Sequence, residues 1–206
     1  MPSRLKTSKS SFVTAFVCSL LLLLIACREP PRLSPLSAEG TILAFGDSLT
    51  YGTGASPQEA YPAILAALLG RPVINAGVPG ETSGEGLARL AGLLEEHHPE
   101  LVILCHGGND FLQRLDPEQL RVNLQAMIAL AKGAGAQVLL VGVPRPGLRL
   151  VSAPVYETVA DALRLPYEAK IVSDILGDGT LKSDYIHPNA AGYRRLAQTL
   201  ARQIAL

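Results

Sequence analysis

Cysteine is scarce: the 206 residues hold three. Cys18 lies inside an apolar leader and Cys27 at its end, so Cys105 has no partner in the remainder of the chain and no intramolecular disulfide is available to it. A Cys pair, a His-Glu-x-x-His and the spacing of a calcium loop are also missing, which removes the common sequence signatures of a bound metal. Gly52-Thr53-Gly54 lacks the third glycine and the helix of a dinucleotide loop. Catalysis without metal or cofactor is therefore the expectation. No block of basic residues stands anywhere, and once Arg4, Lys6 and Lys9 of the leader are set aside, 15 basic residues face 18 acidic ones, a net of −3. Nucleic-acid binding is excluded on that balance, because such affinity rests on many Lys and Arg neutralising phosphates. Internal repeats and low-complexity tracts are absent as well.

What is present begins with an export pattern. Arg4, Lys6 and Lys9 precede an uncharged apolar run over 12–26, which is how a removable secretory segment is built. The run has 15 residues, and only 18 separate Lys9 from Arg28, whereas a helix needs about 20 apolar residues to cross a bilayer, so a permanent N-terminal anchor is the strained alternative. The end of the run, Leu24-Ile25-Ala26-Cys27, resembles the lipobox of bacterial lipoproteins. That resemblance implies removal of residues 1–26, acylation of Cys27 as the new N-terminus and a membrane partnership through its acyl chains. Each buried methylene would contribute about 0.8 kcal/mol to that attachment. Arg28 stands where Asp often marks inner-membrane retention, which implies the periplasmic face of the outer membrane; secretion to the periplasm is the alternative if Cys27 is an ordinary apolar residue. Residues 27–40 then comprise the lipidated cysteine and a tether with three prolines and no periodic apolar face. Fully extended at about 3.1 Å per residue, the tether would reach roughly 40 Å. Residues 41–206 are long enough for one domain with a substantial core, expected as a monomer.

Along that domain, short continuous apolar runs at 41–45, 72–76, 101–106 and 137–143, with a weaker one near 166–171, alternate with segments of helical period. Leu87, Leu90, Ala91 and Leu94 fall at i, i+3, i+4 and i+7, as do Tyr193, Leu196, Ala197 and Leu200, and Leu120, Leu124, Met127 and Ala131 make a third stripe. Continuous rather than alternating strands imply burial on both faces, hence an α/β domain with a parallel sheet of about five strands between helical layers. Ligands of such sheets sit beyond the carboxyl ends of the strands, so the residues there carry the functional signal. They are Gly46-Asp47-Ser48-Leu49, then Asn75 to Ser83, then Gly107-Gly108-Asn109-Asp110, with Asp184-Tyr185-Ile186-His187-Pro188 before the last helix.

These four blocks, in this order, resemble the SGNH hydrolases, also called the GDSL esterase and lipase family, and within it the small bacterial thioesterase I, arylesterase and lysophospholipase L1 branch. The resemblance covers residues 41–206. It implies a three-layer α/β/α sandwich of flavodoxin-like type with strand order 2-1-3-4-5. It also implies Ser48 as nucleophile, His187 as general base and then acid, Asp184 as the residue orienting the imidazole, and an oxyanion hole from the N–H groups of Ser48 and Gly80 with the Asn109 side chain. The residue chemistry suits those roles. A serine hydroxyl is too weakly acidic to attack an ester near neutral pH without a base beside it. A carboxylate three positions before His187 can turn back across one tight loop to fix its tautomer.

Each residue has a blander role open to it: Ser48 as a helix cap, Gly80 and Asp184 in turns, His187 at the surface. Their joint occurrence in family order argues against all four at once. Asp47 and Asp110 are read as structural, bonded locally to backbone. Cys105 is read as a small core residue, His106 as a satisfied strand-end histidine, and His97 and His98 as the end of a helix. Two departures stand out: Tyr185 where many relatives have Gly, and His106 where close relatives tend to be apolar. In the loop after the fourth strand, Leu148 and Leu150 are candidates to contact an acyl chain, and Arg145 and Arg149 an anionic head group. The expected activity is hydrolysis of small-molecule or lipid esters, with thioesters and lysophospholipids in range. Deacetylation of envelope carbohydrate or peptidoglycan is the alternative chemistry, and a non-catalytic, lipid-anchored binding module the alternative of another class.

Overall fold

The computed structural model describes residues 31–147 and 150–204; Cys27 and the export segment, with Leu148 and Arg149, lie outside them. Strands run at Ile42–Gly46 (β1), Val73–Gly77 (β2), Leu101–Cys105 (β3), Gln137–Val141 (β4) and Tyr167–Glu168 (β5). Between and after them come helices Ser48–Tyr51 (α1), Tyr61–Leu69 (α2), Ser83–His97 (α3), Gly108–Leu112 (α4), Pro117–Gly133 (α5), Pro154–Leu163 (α6), Ile171–Gly177 (α7) and Ala190–Ile204 (α8). All strand pairs are parallel and the order is β2-β1-β3-β4-β5, as expected. The strands fall where the apolar runs stand, within a residue or two, except β5, which keeps two residues of its weaker run.

The order dictates the layers. From β1 the chain steps one way to β2 and the other way to β3, β4 and β5, so right-handed crossovers put α2 on one face of the sheet and α3, α5 and α6 on the other. The packing agrees: α3 lies against α5, α5 against α6, while α8 returns to cover α2 and α7. All residues of β1 and β3 are buried, which accounts for their unbroken apolar runs. β2 differs from the expectation of burial on both faces: Val73 and Ile74 are only partly covered and Asn75 is exposed, because β2 is an edge strand.

A second difference concerns the proline-rich stretch. Leu33 and Leu36 pack against the core. The Ser34 N–H donates to Gln137 Oε1 at 2.6 Å, the Ser37 N–H donates to Glu100 Oε2 at 2.8 Å, and Arg71 Nη1 donates to the Ser37 carbonyl at 2.8 Å. Glu100 and Gln137 stand at the amino ends of β3 and β4. From Leu33 onward, then, the stretch read as a free tether is fastened along the amino edge of the sheet, because two leucines without helical period still supply apolar surface to bury.

At the opposite edge β1, β2 and β3 finish level, Gly46 standing opposite both Gly77 and Cys105. The three loops that leave these strands therefore start side by side, bringing sequence-distant residues into one region.

Candidate active site

Ser48 is the first residue of α1, capped by Asp47, whose carboxylate accepts the Leu49 N–H at 3.0 Å. Ser48 Oγ lies 3.0 Å from His187 Nε2, and His187 Nδ1 lies 2.8 Å from Asp184 Oδ2. Asp184 Oδ1 accepts the backbone N–H groups of Ile186 and His187, each at 2.8 Å. The tight loop Asp184–His187 is thus closed by its own carboxylate, which leaves the other oxygen aimed at the ring. The loss of water around Asp184 works to raise its pKa, but the hydrogen bonds from His187 and from the Ile186 and His187 N–H groups outweigh it and hold the carboxyl below its ordinary value. An ionised acceptor on Nδ1 puts the proton there and leaves Nε2 with a lone pair toward Ser48. The His187 side chain is 14% exposed and that of Asp184 is 51% exposed. The histidine is therefore sheltered while its carboxylate faces water.

The residues expected to form an oxyanion hole are placed less uniformly. Asn109, in α4, shares a cavity with Ser48. One of its Nδ2 hydrogens is spent on the Glu81 carbonyl at 2.9 Å, which leaves a second N–H on the same nitrogen. Gly80 lies on the exposed loop after β2, outside the lining of that cavity, with φ of 82°. That conformation favours glycine, and nothing crowds the site of a missing side chain, so the backbone geometry rather than a close approach requires Gly here. The loop is tied to β1 through the Val78 N–H and the Gly46 carbonyl at 3.1 Å.

The cavity beside Ser48 encloses about 380 Å³, toward the small end of ligand pockets, and its wall is largely apolar, with Leu49, Leu112, Val143, Leu150, Leu176 and Ile186. Of the four loop residues expected to touch substrate, Leu150 lines it; Arg145 is exposed and does not; Leu148 and Arg149 lie outside the described residues. Sequence reasoning did not identify Leu112, Lys182 and Ile186 as wall residues. For Ile186 a signal existed, since it sits between Asp184 and His187; for Lys182 there was none. Tyr185, flagged where many relatives have Gly, also lines the cavity and is 90% exposed at its mouth.

Other readings are settled by burial and bonding. Cys105 is buried, and loss of hydration pushes its thiol well above the ordinary range, as suits an inert core residue. Burial likewise raises the pKa of Asp47, partly offset by His106 and by the N–H groups of Leu49 and Gly108. Asp110 is structural but not through local bonds: it accepts the Ser83 N–H at 2.9 Å and the Ser83 hydroxyl at 2.5 Å, joining α4 to the start of α3. His106 is wholly buried, its Nε2 being 3.0 Å from Glu81 Oε2 while Nδ1 has no partner among the described residues, so the reading as a satisfied histidine holds for one nitrogen.

Comparison with known proteins agrees with this geometry. Residues 44–195 match the GDSL-like Lipase/Acylhydrolase family. The chain is 35% identical to the esterase TesA of Pseudomonas aeruginosa over 190 residues, 87% of this chain and 94% of that protein. It is 33% identical to thioesterase 1/protease 1/lysophospholipase L1 of Escherichia coli over 176 residues, covering 82% and 85%. Its fold superposes with a TM-score of 0.74 on the psychrotrophic esterase EstA from Pseudoalteromonas, at 25% identity, covering 81% of this chain and 97% of that one. The chain belongs to the GDSL-like lipase/acylhydrolase family, and it is a hydrolase of ester bonds.

Proposed function

We propose that this family member hydrolyses acyl esters through a covalent acyl-Ser48 intermediate. The observation that carries the proposal is the unbroken relay from Asp184 through His187 to Ser48, with spacings of 2.8 and 3.0 Å. As Ser48 Oγ bonds to the ester carbonyl carbon, its proton passes to His187 Nε2 and the carbonyl oxygen becomes an oxyanion. The N–H groups of Ser48 and Gly80 and the second Nδ2 hydrogen of Asn109 would receive that charge. When the carbon–oxygen bond to the leaving group breaks, His187 returns the proton to the departing alcohol. Water then attacks the acyl-enzyme, giving its proton to His187; collapse releases the carboxylic acid and restores Ser48.

The cavity supports one substrate class over the other. A small, apolar enclosure next to the nucleophile suits a short to medium acyl chain better than a polar sugar ring. The names of the relatives extend the proposal to thioesters and lysophospholipids. Carbohydrate deacetylation then stands as the alternative in which acetyl is the only group removed. An anchor at Cys27 would hold the enzyme in the envelope; a Cys27→Ser protein recovered from the soluble rather than the membrane fraction is the expected sign of it.

The test is hydrolysis of p-nitrophenyl esters of graded length by residues 28–206, with Ser48→Ala as control. The expected result is a maximum at short to medium chains, abolished in Ser48→Ala. Turnover of the acetyl ester alone would shift the substrate to acetylated glycans. Undiminished turnover by Ser48→Ala would contradict the mechanism.

A further inference from the structure

Behind Ser48 lies a second charged group that the relay does not use. Glu81 follows Gly80 and is 7% exposed. Arg89, two turns into α3, meets its carboxylate with both Nε and Nη2, at 2.5 and 2.6 Å. His106 closes the other side, Nε2 being 3.0 Å from Glu81 Oε2. Loss of water works to raise the Glu81 pKa, yet the bonds from His106 and Arg89 prevail and keep it below the ordinary value. An ionised carboxylate only accepts, so His106 Nε2 carries the hydrogen.

This group touches the ends of all three strands that deliver the proposed oxyanion donors. Arg89 Nη2 also donates to the carbonyl of Ala76 at 2.8 Å, at the end of β2, and to that of Gly46 at 3.3 Å, at the end of β1. Its guanidinium lies 4.3 Å above the Phe45 ring, also in β1. His106 directly follows β3. Glu81 itself holds Asn109, through its carbonyl at 2.9 Å. α3 makes room for the arrangement with Gly86, where a side chain would collide with His106 Nε2. One guanidinium would already pair this carboxylate; the wholly buried imidazole adds a second donor to it and ties the end of β3 into the same group.

We propose that Glu81, clamped by Arg89 and His106, is the positioning residue of the oxyanion hole, fixing Asn109 and Gly80 relative to Ser48. The inference rests on the proposed donor roles of Asn109 and Gly80. Glu81 touches no reacting atom. Its effect belongs in kcat, because the geometry it holds matters only once the carbonyl oxygen bears charge.

A double-mutant cycle on a p-nitrophenyl ester, with KM and Tm measured alongside, tests this. Glu81→Gln is expected to lower kcat by about 10- to 100-fold, less than the roughly 10²–10³ of losing a donor itself, with KM within about twofold. In an Asn109→Ala background the same change is expected to cost only a few-fold, since much of what it positions is gone. His106→Leu supplies a second route should Glu81→Gln fold poorly: kcat falls about tenfold with little change in Tm, and His106→Gln, which restores an N–H toward Glu81, recovers most of the loss. Equal penalties of Glu81→Gln in both backgrounds, or a loss confined to KM or to Tm, would overturn the inference while leaving the donors in place. An Asn109→Ala enzyme as fast as the wild type would refute the donor role and the inference with it.

Discussion

Two histidines sit beside carboxylates at the carboxyl edge of the sheet, and only one of them also reaches a serine hydroxyl. His187 has both ring nitrogens engaged, one on Asp184 and the other on Ser48, and its side chain retains 14% exposure in reach of the cavity. His106 has one nitrogen on Glu81 and, among the described residues, no partner for the other, and it is wholly buried. Their carboxylates differ as well. Among the described residues no arginine pairs with Asp184, which is half open to water, whereas Glu81 is buried under Arg89. The pairing of an imidazole with a carboxylate therefore does not define the chemistry. A hydroxyl on the far nitrogen and access to the cavity fit one pair to the proposed catalytic role; a guanidinium on the carboxylate and exclusion of water fit the other to the proposed bracing role.

The largest effects are expected at the His187 nitrogen that faces Ser48. Ser48→Ala and His187→Ala are each expected to reduce kcat on a p-nitrophenyl ester by on the order of 10⁶, and together by little more, because they act as one unit. Additive losses in the double variant would deny that unit. Asp184→Asn should cost less, on the order of 10³–10⁴, since the carboxylate orients a ring that persists without it and water reaches the site. Asn109→Ala should lower kcat by about 10²–10³ with KM little changed; a rise in KM instead would make Asn109 a binding residue.

The smallest expected effect is on stability. The folded chain holds Glu81 below its ordinary pKa of 4.5, so on acidification the unfolded chain takes up the proton first. The stabilisation is complete above that pH and is lost as the pH falls through the lower, folded value. Wild-type Tm should accordingly drop more steeply below about pH 4.5 than that of Glu81→Gln. Parallel curves would place the Glu81 charge outside the folding balance.

How much of this was legible in the sequence follows from the range of each interaction. β1 and β3 were visible because central strands of a parallel sheet are apolar at every position. The Ser48, Asp184 and His187 cluster was visible because its members fall in blocks whose order and setting are diagnostic. The Glu81, Arg89 and His106 brace was not: its members are separated by 8 and 25 positions, and although Glu81 stands in the second block and His106 departs from the family pattern, nothing in the sequence joins them to each other or to Arg89. The fastening of residues 34–37 was hidden for the same reason, since its partners Glu100 and Gln137 are 63 and 103 positions away. Proline content suggested an extended path, and the two leucines that dock it carried no period. Helices α6 and α7 were not anticipated either; they precede and follow β5 in the chain, where the strand signal itself is weak.

The central claim is that Ser48, activated by His187 and not by His106, is the nucleophile. Its most direct test is labelling of the wild type, His187→Ala and His106→Leu proteins with a serine-reactive fluorophosphonate, followed by mass mapping of the adduct. The expected outcome is an adduct on Ser48 in the wild type, none in His187→Ala over the same time, and a slower but complete reaction in His106→Leu. An adduct on any other residue, or undiminished labelling of His187→Ala, would contradict it.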